Sequence, residues 1–362
     1  MKAELVYFYA YDVASELFTD QMKEIFGRRL APLQIEPFKR SPTGVVFHRP
    51  LTIALDPVEG RTPKGPLSVQ IILRLFSIGA MSIMARVPVE YERLEDLHAY
   101  HRLPFEGRSL DEEVRTIAAR VLDAIRPYAV KCAELLVEPE TYTVFCLHAP
   151  PEAGSPAAEW FHRERRRIAA LLTDEYEPAR LSEQEVTEST QYHYSYYRDD
   201  VVVVDWDAAL VVDNPRAYDE MLYVFEIANL QLEELSEYGR ILDAALNHAY
   251  DDLVPSAGTV PRGRARIQSE LREIRVDLAR LTDELNNATR FFGDWHLARI
   301  YEGVARRFHL GDWADSVNQK LRTLESMYNL LQQERTNRWM LLLESAIVAL
   351  FLLDLAALIW KM

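Results

Sequence analysis

Apolar and polar positions follow different rhythms along this chain. Up to about residue 214 they come in short runs and alternations. From about 216 they recur every three or four residues, and over 339–360 polar positions almost vanish. In the first part, ELVYFYAY (4–11), GVVFHRPLTIAL (44–55), LSVQIILRLF (67–76), GAMSIMARVPV (79–89) and TYTVFCLH (141–148) read as strands. QYHYSYYRDDVVVVDW (191–206) reads as a hairpin around an Arg-Asp-Asp turn. Helices are predicted over 15–26, ending at Gly27, over 109–134, where Ser109 and Glu112 form a capping box, and over 156–172. Strand, helix and paired strands occur twice. That order predicts an α+β N-terminal domain over 1–214, with a ferredoxin-like arrangement as one form of it.

A helical run covers 217–253, and PSAGTVPRG (255–263) breaks it. Ile267, Leu271, Ile274, Leu278, Leu281 and Leu285 then keep a 4-3 spacing that continues to Ala288 and Phe292. This is a coiled-coil signal. A third helix from about 313 carries Val317, Leu321, Leu324, Tyr328 and Leu331 at the same spacing. The expectation is an α-helical coiled-coil hairpin, a stalk over 216–338. Its seam is either an intramolecular antiparallel pair or an oligomer seam.

As a helix, 339–360 would span roughly 33 Å, enough for a hydrocarbon core of about 30 Å. Trp339 and Trp360 bracket it, and Arg335 and Arg338 precede it. The pattern predicts one C-terminal transmembrane helix, with the N-terminal domain on the cytoplasmic side. Two acids interrupt the run. Glu344, Ile347, Phe351, Asp354 and Leu358 share one helical stripe. The acids are either tolerated near the interfaces, or the stripe faces other copies of the helix, which Ser345, Ala349 and Ala356 would allow to approach closely.

The net charge of −15 argues against broad nucleic-acid binding. Two cysteines, Cys132 and Cys146, make no disulfide framework. The chain opens on strand-like sequence, without the pattern of a signal or transit peptide. No phosphate loop, nucleophile elbow, cysteine knuckle or dinucleotide turn occurs, so neither an enzyme nor a cofactor is expected. Glu95, His98 and His101 in ERLEDLHAYH form the best metal candidate, yet they lack a fourth ligand and four-residue spacing; a solvated helix face is the blander reading. FHRERRRIAA (161–170) reads as a solvated helix face or a local anion-binding patch. The tyrosines at 192, 194, 196 and 197 read as a packed sheet face rather than a base-stacking platform.

YDEMLYVFEIANLQLEELSEYG (218–239) and residues 271–355 resemble the family named for requirement in meiotic nuclear division. The resemblance rests on an order of features. A helix carries Phe225 and Glu226; a heptad helix leads to an aromatic turn, Phe291 to Trp295; a Leu-rich helix passes Asn318, Leu321 and Leu324 into an apolar segment with an embedded acid. FSIGAMSIMARV (76–87) is similar to a short glycine-containing strand pair of that family. The resemblance implies a membrane-anchored, self-associating protein that is not an enzyme; its mitochondrial members are tied to holding ribosomes at a membrane. The functional expectation is a membrane-anchored scaffold or tether, homo-oligomeric, with an α+β domain that binds an unidentified protein partner. The alternative is an oligomeric cation channel lined by Glu344 and Asp354. Its order of parts is similar to that of CorA-type magnesium channels, whose second membrane helix and Gly-Met-Asn loop this chain lacks.

Overall fold

A computed structural model describes residues 1–33, 50–62, 65–105, 108–148, 156–253, 274–276, 279 and 295–360. These divide into two units, one formed by Met1–Glu237 and Asp277–Trp313, the other by Tyr238–Val276 and Ala314–Met362.

The first unit is built on one ten-stranded mixed sheet. Its strands are β1 (Lys2–Asp12), β2 (Ala31–Pro32), β3 (Leu51–Ala54), β4 (Val58–Thr62), β5 (Gly65–Leu75), β6 (Ala80–Glu90), β7 (Glu140–Leu147), β8 (Tyr192–Tyr194), β9 (Val201–Val204) and β10 (Ala208–Val212). Their order across the sheet is β8–β9–β10–β7–β1–β6–β5–β3–β2, with β4 paired to β5. Only β7 and β10 pair in parallel; the other pairs are antiparallel.

This overturns the ferredoxin-like expectation. That arrangement needs a small sheet with helices on one face. Here β1 sits mid-sheet and is buried almost along its length. The odd-numbered residues Leu5, Tyr7, Tyr9 and Tyr11 join a core with α1 (Leu110–Ile125) and α2 (Ala157–Leu172). Tyr9 fixes α1 by donating to Asp111 at 2.7 Å. On the other face, Tyr142 of β7 meets Phe225 of α4 (Tyr218–Leu253) at 5.7 Å and Phe308 at 5.0 Å between ring centres. A strand covered on both faces reads as a continuous apolar run, which explains why VVVV and AALVV are buried at every position.

The predicted capping box at Ser109 and Glu112 is present at the start of α1. The 191–206 hairpin also forms, pairing Tyr192–Tyr194 with Val202–Val204. The helix expected over 15–26 does not. Its backbone makes sheet-like bonds instead, Leu17 N–H to Ser77 at 3.0 Å and Phe18 N–H to Tyr128 at 3.0 Å. Such distant partners outbid a helix of modest propensity.

Further helices are α5 (Trp295–Arg307) and α6 (Leu310–Trp360), with the short α3 (Glu183–Ser189) between α2 and β8. α5 covers β8 so closely that a Cβ on Gly303 would lie 2.2 Å from the Tyr194 hydroxyl. In the second unit, Lys320 of α6 bridges Asp243 at 2.7 Å and Arg275 bridges Glu325 at 2.8 Å. Val317, Leu321 and Leu324 are buried at the spacing the sequence gives them.

The transmembrane expectation is corrected, and with it the membrane location. Among the described residues, no helix is long and apolar enough to cross a membrane. α6 is continuous to Trp360, but its N-terminal part is polar.

Candidate functional site

The residues singled out from the sequence do not converge on one place. Of the heptad seam, Ile267, Leu271, Leu278, Leu281 and Leu285 lie outside the described residues, and Ile274 is half-buried in a helical segment. Glu344 and Trp339 are exposed on α6. Arg335, Arg338, Asp354 and Trp360 belong to the same helix, with side chains outside the description. Ten large apolar side chains between 339 and 353 are 54–67% exposed among the described residues. Because 340–343 are consecutive, these exposed side chains point to all sides of the helix.

Phe225 and Glu226 are fully buried. Phe225 packs on Tyr142, and the Glu226 carboxylate forms an ion pair with Arg74 of β5. That pairing explains an arginine inside an otherwise apolar strand: each charge is affordable only beside the other. The partnership is incomplete, since Arg74 Nε and Glu226 Oε1 are buried without partners. Trp295, the last residue of the aromatic turn that the resemblance singles out, is 76% exposed at the start of α5.

The arginine-rich run of α2 is a structural network. Arg165 donates to Thr190 at 2.6 Å, Arg166 to the carbonyls of Pro178 and Leu181 at 3.2 and 2.5 Å, and Arg167 pairs with Glu164 at 3.0 Å. Of the four tyrosines, Tyr194 is packed beneath Arg299 at 5.8 Å, whereas Tyr196 and Tyr197 are exposed in the turn.

One cluster departs from expectation in a useful way. The 3-10 helix Leu94–Tyr100 ends at His101, and it lies against the C-terminal end of α2. His98 and His101 are neighbours there, with ring centres 6.1 Å apart. The third member is Asp174, not Glu95. It follows α2 in a left-handed conformation at φ 53°, which Asp tolerates better than most residues. The ligand atoms of His98, His101 and Asp174 all lie within 4.8 Å of one another. Spacing along the chain could not reveal Asp174, because it arrives from 73 residues beyond His101, through the fold. Glu95 instead meets Arg167 at 3.4 Å, with its other carboxylate oxygen buried and unpartnered.

A second titratable group stands out. Glu233 of α4 accepts from the Glu140 N–H at 3.2 Å. Burial, and then the nearby Glu140 carboxylate, push its pKa up to about 8.

Comparison with known proteins settles the family. The domain described as "Uncharacterized protein MJ0711, N-terminal domain" matches residues 2–219. The chain belongs to that family. A curated relative, Uncharacterized protein MJ0711 of Methanocaldococcus jannaschii, is 24% identical over 217 residues, which is 60% of this chain. The chain spans 65% of that relative's length. No solved structure matches. The MJ0711 N-terminal domain segment contains the ten-stranded sheet and the cluster of His98, His101 and Asp174, and it ends before Phe225, Glu226, Trp295 and nearly all of α4 to α6. The expectation of an uncharacterised family holds; these matches carry no link to meiotic division or sporulation.

Proposed function

We propose that this protein is a non-enzymatic, self-associating scaffold, in which the sheet domain carries an unidentified protein partner and the C-terminal part of α6 joins copies of the chain. The observation that carries this reading is the exposed apolar stretch between 339 and 353. Monomers rarely leave patches of more than a few hundred Å² uncovered. Ten such side chains offer on the order of 1,000 Å² per copy, above the about 800 Å² each partner gives a standard interface.

A second copy is the occupant favoured by charge. Glu344 is the acid within the described stretch, and position 338 is basic. An antiparallel register centred on Leu341 sets position 338 of each copy opposite 344 of the other. The heptad pattern of the sequence over 267–285 would add a second seam if it pairs between copies. Self-association also agrees with what the resemblance of 218–239 and 271–355 to the meiotic-nuclear-division family implies.

The test is sedimentation velocity on the full chain across a concentration series. Leu341→Asp, on a side chain already exposed, should shift the protein to monomer. Glu344→Arg should weaken association roughly tenfold or more, and Arg338→Glu combined with it should recover most of the loss. A wild-type chain that stays monomeric at high micromolar concentration overturns the reading.

A further inference from the structure

We infer that His98, His101 and Asp174 form a binding site for a divalent transition ion of the zinc class. The site lies in the matched N-terminal domain and stands independently of the scaffold reading. Three features of the cluster point to an ion rather than to ordinary core packing.

First, the His101 imidazole is prepared as a ligand. His101 Nε2 lies 2.6 Å from the Leu171 carbonyl, which can only accept, so Nε2 carries the proton and Nδ1 keeps its lone pair. A backbone carbonyl holding the far nitrogen is the usual outer support of a metal-bound histidine. Second, a polar atom is left without a partner. His98 is 2% exposed, yet its Nδ1 makes no hydrogen bond, and neither does the buried Oδ1 of Asp174. Buried polar atoms are rarely left so. Third, the two unsatisfied atoms face each other at 3.9 Å. That is too long for a hydrogen bond. Ligands bound at about 2.0–2.1 Å around a tetrahedral ion sit roughly 3.4 Å apart, so a small side-chain adjustment lets one ion satisfy both.

Two imidazole nitrogens and one carboxylate oxygen suit zinc, cobalt(II) or iron(II) over magnesium or calcium, which prefer all-oxygen shells. Three protein ligands leave a fourth position for water or a small anion. Asp174 remains 38% exposed, which gives the ion a path from solvent.

The experiment uses the tag-free full chain, stripped with a chelator and titrated with Zn²⁺ by calorimetry and with Co²⁺ by visible absorption. One equivalent should bind, with d–d bands of a four- or five-coordinate cobalt centre and a rise in melting temperature on zinc addition. Asp174→Asn keeps the backbone conformation and should weaken binding roughly tenfold or more, as should His98→Gln. His309→Gln removes an exposed histidine beside Asp312 and should leave binding unchanged. The inference is overturned if no saturable binding occurs, if Asp174→Asn binds like the wild type while its melting curve shows it folded, or if His309→Gln weakens binding as much as Asp174→Asn does.

Discussion

The ten-stranded sheet and the C-terminal part of α6 are both rich in large apolar side chains, and the chain treats them in opposite ways. In the sheet, a strand such as β7 is covered on both faces, with Phe145 and Leu147 in the core shared with α1 and α2 on one side and Tyr142 against Phe225 and Phe308 on the other. Between 339 and 353 the same kinds of side chain remain exposed on every side of one helix. The contrast teaches that apolar sequence measures a demand for cover without naming the source. In the sheet the source is the rest of the chain. On α6 it must come from elsewhere, and other copies are the source we propose.

The comparison breaks most visibly if the sheet's second face proves not to be a tightly closed interior. Glu226→Ala leaves the Arg74 charge buried without its partner and should cost about 3–5 kcal/mol in denaturant unfolding. Replacing both residues together, by Met and Leu, should return most of that loss. An effect of Glu226→Ala near zero would mean that the pair is hydrated and the face open.

A smaller effect concerns acidity. Glu233 keeps its proton in the folded state up to about pH 8, whereas in the unfolded chain it loses it near the ordinary carboxyl value. The folded state therefore binds more protons between those limits, and stability falls as pH rises from about 4.5 to 8. Glu233→Gln should remove that slope and stabilise the protein at pH 8 by about 2–4 kcal/mol. Parallel stability curves for wild type and variant across this window would contradict the buried, protonated state.

The smallest effect belongs to α6. In the dissociated chain, Leu342→Ala should change stability by less than about 0.5 kcal/mol, because the side chain is already in water. A loss of about 2 kcal/mol or more would show that this leucine is covered within its own chain.

Strand runs were legible where both faces, or one, imposed a clear period: 67–76, 79–89, 141–148 and the 191–206 hairpin all lie in the sheet. The Ser109–Glu112 cap was legible because its chemistry is local. The size of the sheet was not, since strand order depends on pairings such as β7 with β10 that bridge more than 60 residues. The helix read over 15–26 failed for the same reason, as its backbone partners are Ser77 and Tyr128. The span read at 339–360 rested on its length, its apolarity and the flanking Trp339, Trp360, Arg335 and Arg338, and no described helix is long and apolar enough to cross a membrane. At the cluster, the sequence supplied His98 and His101 through their spacing on one short helix. It offered Glu95 as the third member because Glu95 is near in sequence, whereas the fold brings Asp174.

The central claim is that the 339–353 side chains find their cover in other copies. Hydroxyl-radical footprinting of the full chain over a concentration series measures that cover directly. The account predicts that labelling of Leu341, Leu343 and Ile347 falls as concentration rises, while labelling of Phe225 stays low throughout. Labelling of the α6 residues that stays high at every concentration would contradict it.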